Sequence, residues 1–168
     1  MRWIQLRSRR ILTPMGREKN GKQAVGKPRG GWNAKIHAVA AGDTQVAGFL
    51  LSGGNVPDAQ AGQLLLETLG KQEDTVNLLM DRAYEDDKTR LTAWGLKFNP
   101  VAPPKRNRVK PWEYDRELYK RRNEAERFFR RLKAYRAIGT RYDKRDIMFT
   151  AFIWLACICI LFRSVNTP

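Results

Sequence analysis

Five residues, Val76 to Met80 (VNLLM), place the strongest constraint on the fold. The run is almost wholly apolar, shows no alternation and stops abruptly at Asp81, which is the pattern of a strand buried on both faces. The rest of the chain supplies elements to surround it. NAKIHAVAAG and TQVAGFLLSGG are apolar runs rich in Val, Ile and Phe on either side of Gly42-Asp43, which predicts a hairpin. Residues 58–69 have helical spacing, with Ala61, Leu65, Leu66 and Leu69 in line, Asp58 in the N-cap place and Gly70 as the stop. Residues 85–94 predict a second helix ended by Gly95. Residues 97–102 predict a short edge strand, since Pro100 argues against a central one. Hairpin, helix, buried strand, helix, strand and two further helices make an α/β domain with a mixed sheet.

The first of those two later helices carries the chemistry. Residues 118–135 read LYKRRNEAERFFRRLKAY. Wound at about 100° per residue from Tyr119, they place Arg122, Glu126 and Lys133 at roughly 300°, 340° and 320°, so all four share an arc of about 60°. Leu118, Ala125, Phe128, Phe129 and Leu132 form a core-facing stripe directly beside it. One carboxylate thus stands at the edge of a buried stripe among an Arg, a Lys and a Tyr. The pattern alone also suits a solvated, salt-bridged face. Asp81 presents the same choice: an acid at the carboxyl end of a buried strand is well placed to bind a ligand, and equally suits a turn or a cap.

Charge narrows the choice of partner. The net charge is +15, unevenly spread. Residues 1–35 hold ten Lys or Arg against one acid and residues 105–145 sixteen against six, whereas residues 36–104 hold five against nine. Two basic blocks flanking an acidic middle suit a phosphate backbone, DNA or RNA. Cys157 and Cys159 would point about 200° apart on a helix, which suits neither a disulfide nor a shared metal; they read as small core residues in a reduced cytoplasm. Residues 147–162 are apolar almost throughout but shorter than a membrane span needs, so they predict a buried core helix and no membrane partner.

The spacing Tyr119-x2-Arg122-x3-Glu126-x6-Lys133 resembles the Y-R-E-K signature of bacterial insertion-sequence transposases of the DDE type, and Asp81-Arg82-Ala83-Tyr84 resembles their second-Asp motif. The likeness runs from near Lys19 to Phe162. It implies an RNase H-like mixed sheet with flanking helices and Mg²⁺- or Mn²⁺-dependent cleavage and transfer of DNA strands. It also implies double-stranded DNA, transposon ends and target, as partner, a possible homo-oligomer in the transposition complex, and a cytoplasmic, nucleoid-associated location. By the same resemblance Asp81 and Glu126 are catalytic metal ligands, Arg122 and Lys133 contact DNA phosphate, and Tyr119 belongs to the signature helix with no derivable role. Two-metal chemistry fits acids of this kind, because hard carboxylate oxygens hold two Mg²⁺ ions about 3.5–4 Å apart. His37, the only histidine, matches a place often held by His in the family, although a strand histidine is more often structural. Gly30-Gly31 and Gly53-Gly54 are turn signals rather than phosphate loops. Trp32, Trp94 and Trp112 read mainly as packing residues, with stacking on bases as the other use of such rings.

The chain departs from the family in two places. Pro57 stands where relatives have His in a GGNV-H-D stretch. More seriously, the family needs three acids, the first on the first strand ahead of RGGWNAKIH. Residues 1–31 hold no Asp, and their single acid is Glu18 in a basic loop. This predicts a basic, poorly ordered arm over residues 1–30, with a partial catalytic domain over 31–164 that lacks the first strand. The first 17 or so residues would be read from a shifted frame. Such a chain is expected to bind paired metals poorly and to be inactive on its own.

Overall fold

A computed structural model of the protein describes residues 3–13, 23–29 and 31–166. Five strands form one sheet: β1 (Trp3–Leu12), β2 (Asn33–Ala40), β3 (Val46–Gly53), β4 (Val76–Met80) and β5 (Phe98–Val101). Their order is β3-β2-β1-β4-β5. Strand β2 runs antiparallel to its neighbours β1 and β3, and β4 and β5 run parallel to β1. This mixed α/β sheet with flanking helices is consistent with an RNase H-like fold.

Helices cover both faces. Helices α1 (Asp58–Leu69) and α2 (Asp87–Gly95) lie on one, where Leu65, Leu66 and Ala93 pack with Leu6, Val39, Leu78 and Met80. Helices α4 (Asn123–Ala134), α5 (Arg136–Gly139) and α6 (Asp146–Val165) cover the other, where Phe128, Phe129, Ile138, Phe149 and Ile153 meet Ile11, Ile36 and Ala38. The short α3 (Arg116–Lys120) sends Leu118 onto Leu79 and Val101. VNLLM therefore lacks alternation because both its faces are covered: Val76, Leu78 and Met80 pack under α1 and α2, and Leu79 under α3.

The N-terminal segment corrects the sequence reading. Trp3–Leu12 is not an arm, and the first strand is not missing: WIQLRSRRIL is the central strand. It pairs with β2 from Gln5↔Ala40 to Leu12↔Asn33 and with β4 from Trp3↔Asn77 to Leu6↔Met80. Leu6 enters one core and Ile11 the other. Alternation puts Arg7 and Arg9 on the Ile11 side, facing α4. Three arginines in ten residues obscure the apolar period in the sequence. Glu18 and Gly30 lie outside the described residues, as does the expected change of frame between about Arg17 and Lys19.

Three further expectations change. The single helix over 118–135 is two, α3 and α4, joined at Arg121-Arg122 by a tight turn in which Arg121 N donates to Leu118 O and Glu124 N to Arg121 O. Pro57, not Asp58, holds the N-cap position of α1 and makes no side-chain cap; Asp58 is the first helical residue, and its carboxylate accepts from Lys35 and Ser8. Helix α6 is buried along one stripe only (Phe149, Ile153, Ala156, Cys157 and Ile160), whereas Ile147, Leu155 and Phe162 are exposed. Helix α6 is long and apolar enough to cross a membrane, yet its stripe is built into the core.

Candidate functional site

Asp81 sits one residue past β4, where the chain leaves the sheet. Its carboxylate Oδ1 accepts a hydrogen bond from Arg82 N at 2.8 Å and so caps the 3-10 turn Arg82–Tyr84. Its own amide reaches Leu6 O on β1 at 3.4 Å. The turn is anchored by Tyr84, whose ring is fully buried against α1. Gly62 makes room for it: a Cβ there would stand 2.5 Å from Tyr84 Cδ1.

Tyr84 enters a buried polar chain. His37 Nδ1 lies 2.9 Å from the Tyr84 hydroxyl and His37 Nε2 lies 2.7 Å from Ser52 Oγ. Next to it, Asp58 accepts from Lys35 Nζ at 2.6 Å and from Ser8 Oγ at 2.8 Å. Burial lowers the His37 pKa to about 4, against an upward pull from Asp58, so the ring is neutral at pH 7. Burial also acts to raise the Asp58 pKa, but the Lys35 and Ser8 hydrogen bonds outweigh it and hold the carboxyl below its ordinary value. His37 is thus a structural strand residue that steadies the Asp81 turn through Tyr84.

Glu126 is in the first turn of α4 and is 31% exposed. Its Oε1 accepts from Arg7 Nη1 at 2.7 Å. Partial burial acts to raise its pKa, yet Arg7, Arg122 and Arg9 together hold it below the ordinary value, so it is ionised at neutral pH. Arg122 lies 3.9 Å from Asp81 Oδ1 and donates to the Tyr119 hydroxyl at 3.4 Å. Burial pushes the Tyr119 phenol up, with Arg122 opposing. Lys133 lies further along α4 and lines a cleft of about 170 Å³ with Arg9, Glu126, Phe129 and Arg130.

The five residues expected from the sequence therefore share one face, as two neighbouring clusters. Asp81, Arg122 and Tyr119 form one, and Glu126 and Lys133 the other. Arg7 lies between them. It lines the gap with Asp81 and Arg122 and it grips Glu126. Arg7, Arg9 and Arg130 were not legible as site residues. Only the pairing of β1 with β4 brings residue 7 beside Asp81, and no acid in the segment drew attention to it.

The tryptophans are covered by cations. Trp112 has Arg90 at 3.6 Å and Arg108 at 4.5 Å from its ring and donates Nε1 to Ala102 O. Trp94 lies under Arg90 and Trp32 under Lys27.

Comparison with known proteins bears on this arrangement. The sequence profile of the family described as "Transposase DDE domain" matches residues 13–162. A Brucella ovis protein described as "Putative transposase for insertion sequence element IS6501" is 35% identical over 88 residues, a stretch covering 52% of this chain and 68% of that relative. No solved structure matches the chain.

Proposed function

The chain belongs to the transposase family defined by the DDE domain, and from that premise we propose that it serves DNA transposition by holding duplex DNA, transposon end or target, across the basic face around Asp81 and Glu126. One observation carries the reading: Arg7, Arg9, Arg122, Arg130 and Lys133 are gathered around two carboxylates on one face. Arg122 offers a planar fork of donors to a phosphate and Lys133 a mobile point charge. A backbone phosphate passing between them would meet cations on both sides, and counterion release would supply much of the affinity.

Strand cleavage and transfer, the chemistry of the family, uses divalent metal ions. Asp81 and Glu126 are the acids that would bind them. As they stand they do not fit that task. A single divalent ion keeps waters and needs only one or two carboxylates, but a pair of ions asks for more, and among the described residues no group of three or more His, Cys, Asp or Glu side chains is placed to hold a metal. One Glu126 oxygen is already committed to a guanidinium. We therefore assign DNA holding, not cutting, to this chain on its own.

Fluorescence anisotropy on duplex DNA between 50 and 200 mM salt tests the proposal. The logarithm of affinity should fall linearly with the logarithm of salt, and Arg122→Ala and Lys133→Ala should each reduce the slope by about 1. Slopes unchanged in both variants, or a preference for RNA over duplex DNA, would overturn it.

A further inference from the structure

We propose that Arg7 is a built-in cation standing where a divalent ion would otherwise be held, so that the Asp81–Glu126 pair receives a phosphodiester with no metal between. The inference rests on the reading of these two acids as the acid pair of the domain, and it deepens that reading by assigning the residue that excludes the metal.

The backbone supplies the first part of the argument. Leu6 and Met80 are partners in the parallel pairing of β1 and β4, and Asp81 N reaches back to Leu6 O. Residue 7 is therefore the β1 position that flanks Asp81, on the face of the sheet that looks toward α4. A side chain there lies within reach of both acids, and only a third carboxylate at such a place would complete an oxygen cradle with Asp81 and Glu126. The sequence puts a guanidinium there instead.

Space and charge supply the second part. The gap lined by Arg7, Asp81 and Arg122 measures about 10 Å³, roughly the room that one water needs. No hydrated ion fits between Arg7 and Asp81 there, and Glu126 opens on the separate cleft of about 170 Å³ among Arg9, Arg130 and Lys133. Arg7, Arg9 and Arg122 all act on the Glu126 carboxylate, so an incoming dication would meet three positive side chains and two negative ones. Arg7 is 14% exposed, and its Nε is buried with no hydrogen-bond partner. Among the described residues its Nε is unmatched, so the guanidinium is held by Glu126 at one end and is not locked on every side.

Mn²⁺ binding, followed by electron paramagnetic resonance on the full chain without DNA, tests this directly. Arg7→Asp removes the cation, shortens the side chain and adds the third carboxylate. It should bind Mn²⁺ at least about tenfold more tightly than wild type, with Arg7→Ala in between. Wild-type DNA binding should be indifferent to EDTA. The proposal is overturned if wild type binds Mn²⁺ as tightly as the folded Arg7→Asp variant, if that variant gains nothing, or if EDTA weakens wild-type DNA binding. Should circular dichroism show Arg7→Asp unfolded, Arg7→Ala decides alone: tighter Mn²⁺ binding than wild type supports the assignment and equal binding refutes it. Because the metal is measured without DNA, failed salt slopes with Arg122→Ala and Lys133→Ala would sink the DNA reading and leave a gain by Arg7→Asp standing.

Discussion

Arg7, on β1, and Arg141, in the loop between α5 and α6, each pair with a carboxylate in the first turn of a helix, and they differ in what surrounds them. Arg141 is fully buried. It donates to Asp146 Oδ1 at 2.6 Å, to the Asp143 carbonyl at 2.9 Å and to the Lys144 and Ala24 carbonyls at 3.4 Å, and it lies over the Phe149 ring. Its backbone amide reaches Leu12 O at the end of β1, and Asp146 also receives Ala24 N. The pair ties the end of the central strand, residues 23–24 and the start of α6 into one joint. Asp146 sits in the first turn of α6, where the helix dipole favours its charge. Among the described residues Arg7 has one carboxylate partner, Glu126, which is as exposed as Asp146 (31% each), and its Nε has none. The same chemical pair makes a joint where each guanidinium nitrogen has a partner, and a looser contact beside Asp81 where one nitrogen has none among the described residues.

Stability separates the two most sharply. Arg141→Ala takes a fully buried guanidinium from Asp146 and from three carbonyls and should cost roughly 3 kcal/mol, since each buried acceptor left unpaired costs about 1–3 kcal/mol. Arg7→Ala should cost about 1 kcal/mol, because it strands one partly exposed carboxylate and no carbonyl among its described partners. Urea melts of both variants check this. An Arg7→Ala cost equal to that of Arg141→Ala would make Arg7 a structural clamp and erase the contrast.

The buried chain beneath the Asp81 turn gives the next largest effect, one that depends on pH. His37 has a folded-state pKa of about 4, below its unfolded value. Between roughly pH 6.5 and 4 the unfolded chain takes up a proton that the folded chain refuses, so the contribution is complete above pH 6.5 and declines as pH falls. About 3 kcal/mol should be lost by pH 4. The groups facing the ring are Tyr84, Ser52, Asp58 and Lys35. Asp58 and Glu126, with depressed carboxyl pKa values, contribute stability that is lost only at lower pH, below the ordinary carboxylate range. Urea melts at pH 7, 5.5 and 4.5 should show the decline in wild type and a much shallower one in His37→Gln. Parallel slopes would remove His37 as the cause.

How far the sequence disclosed this arrangement follows from where charge falls along it. VNLLM matches β4 residue for residue, and the helix over 58–69 matches α1, because their apolar residues follow one clean period. The stripe of Phe128, Phe129 and Leu132 was legible for the same reason. Strand β1 was not. Arg7, Arg9 and Arg10 break its apolar alternation, and only pairing with residues 33–40 and 77–80, distant in sequence, reveals it. Signature spacing brought Glu126, Arg122 and Lys133 to attention, but no local pattern could show that an arginine more than a hundred residues earlier would hold Glu126. The break at Arg121-Arg122 was hidden too, since a tight turn of three-residue hydrogen bonds preserves the helical sense and needs no Pro or Gly.

The smallest expected effect is also the most diagnostic for the site. If Asp81 and Glu126 answer to guanidinia and not to metal, neutralising them leaves the phosphate-facing cations in place and removes nearby negative charge. Asp81→Asn and Glu126→Gln should then bind duplex DNA as tightly as wild type or up to a few-fold more tightly, by roughly 0.5 kcal/mol, with no dependence on added Mn²⁺. A domain that grips DNA through metal ions behaves in the opposite way, because losing a ligand weakens metal-stimulated binding. Anisotropy with and without Mn²⁺, at one salt concentration, separates the cases. A loss of affinity in either variant that appears only with Mn²⁺ would mean that the acids reach a metal despite Arg7, and the contrast between the sealed arginine at 141 and the ligand-facing one at 7 would fail at its second member.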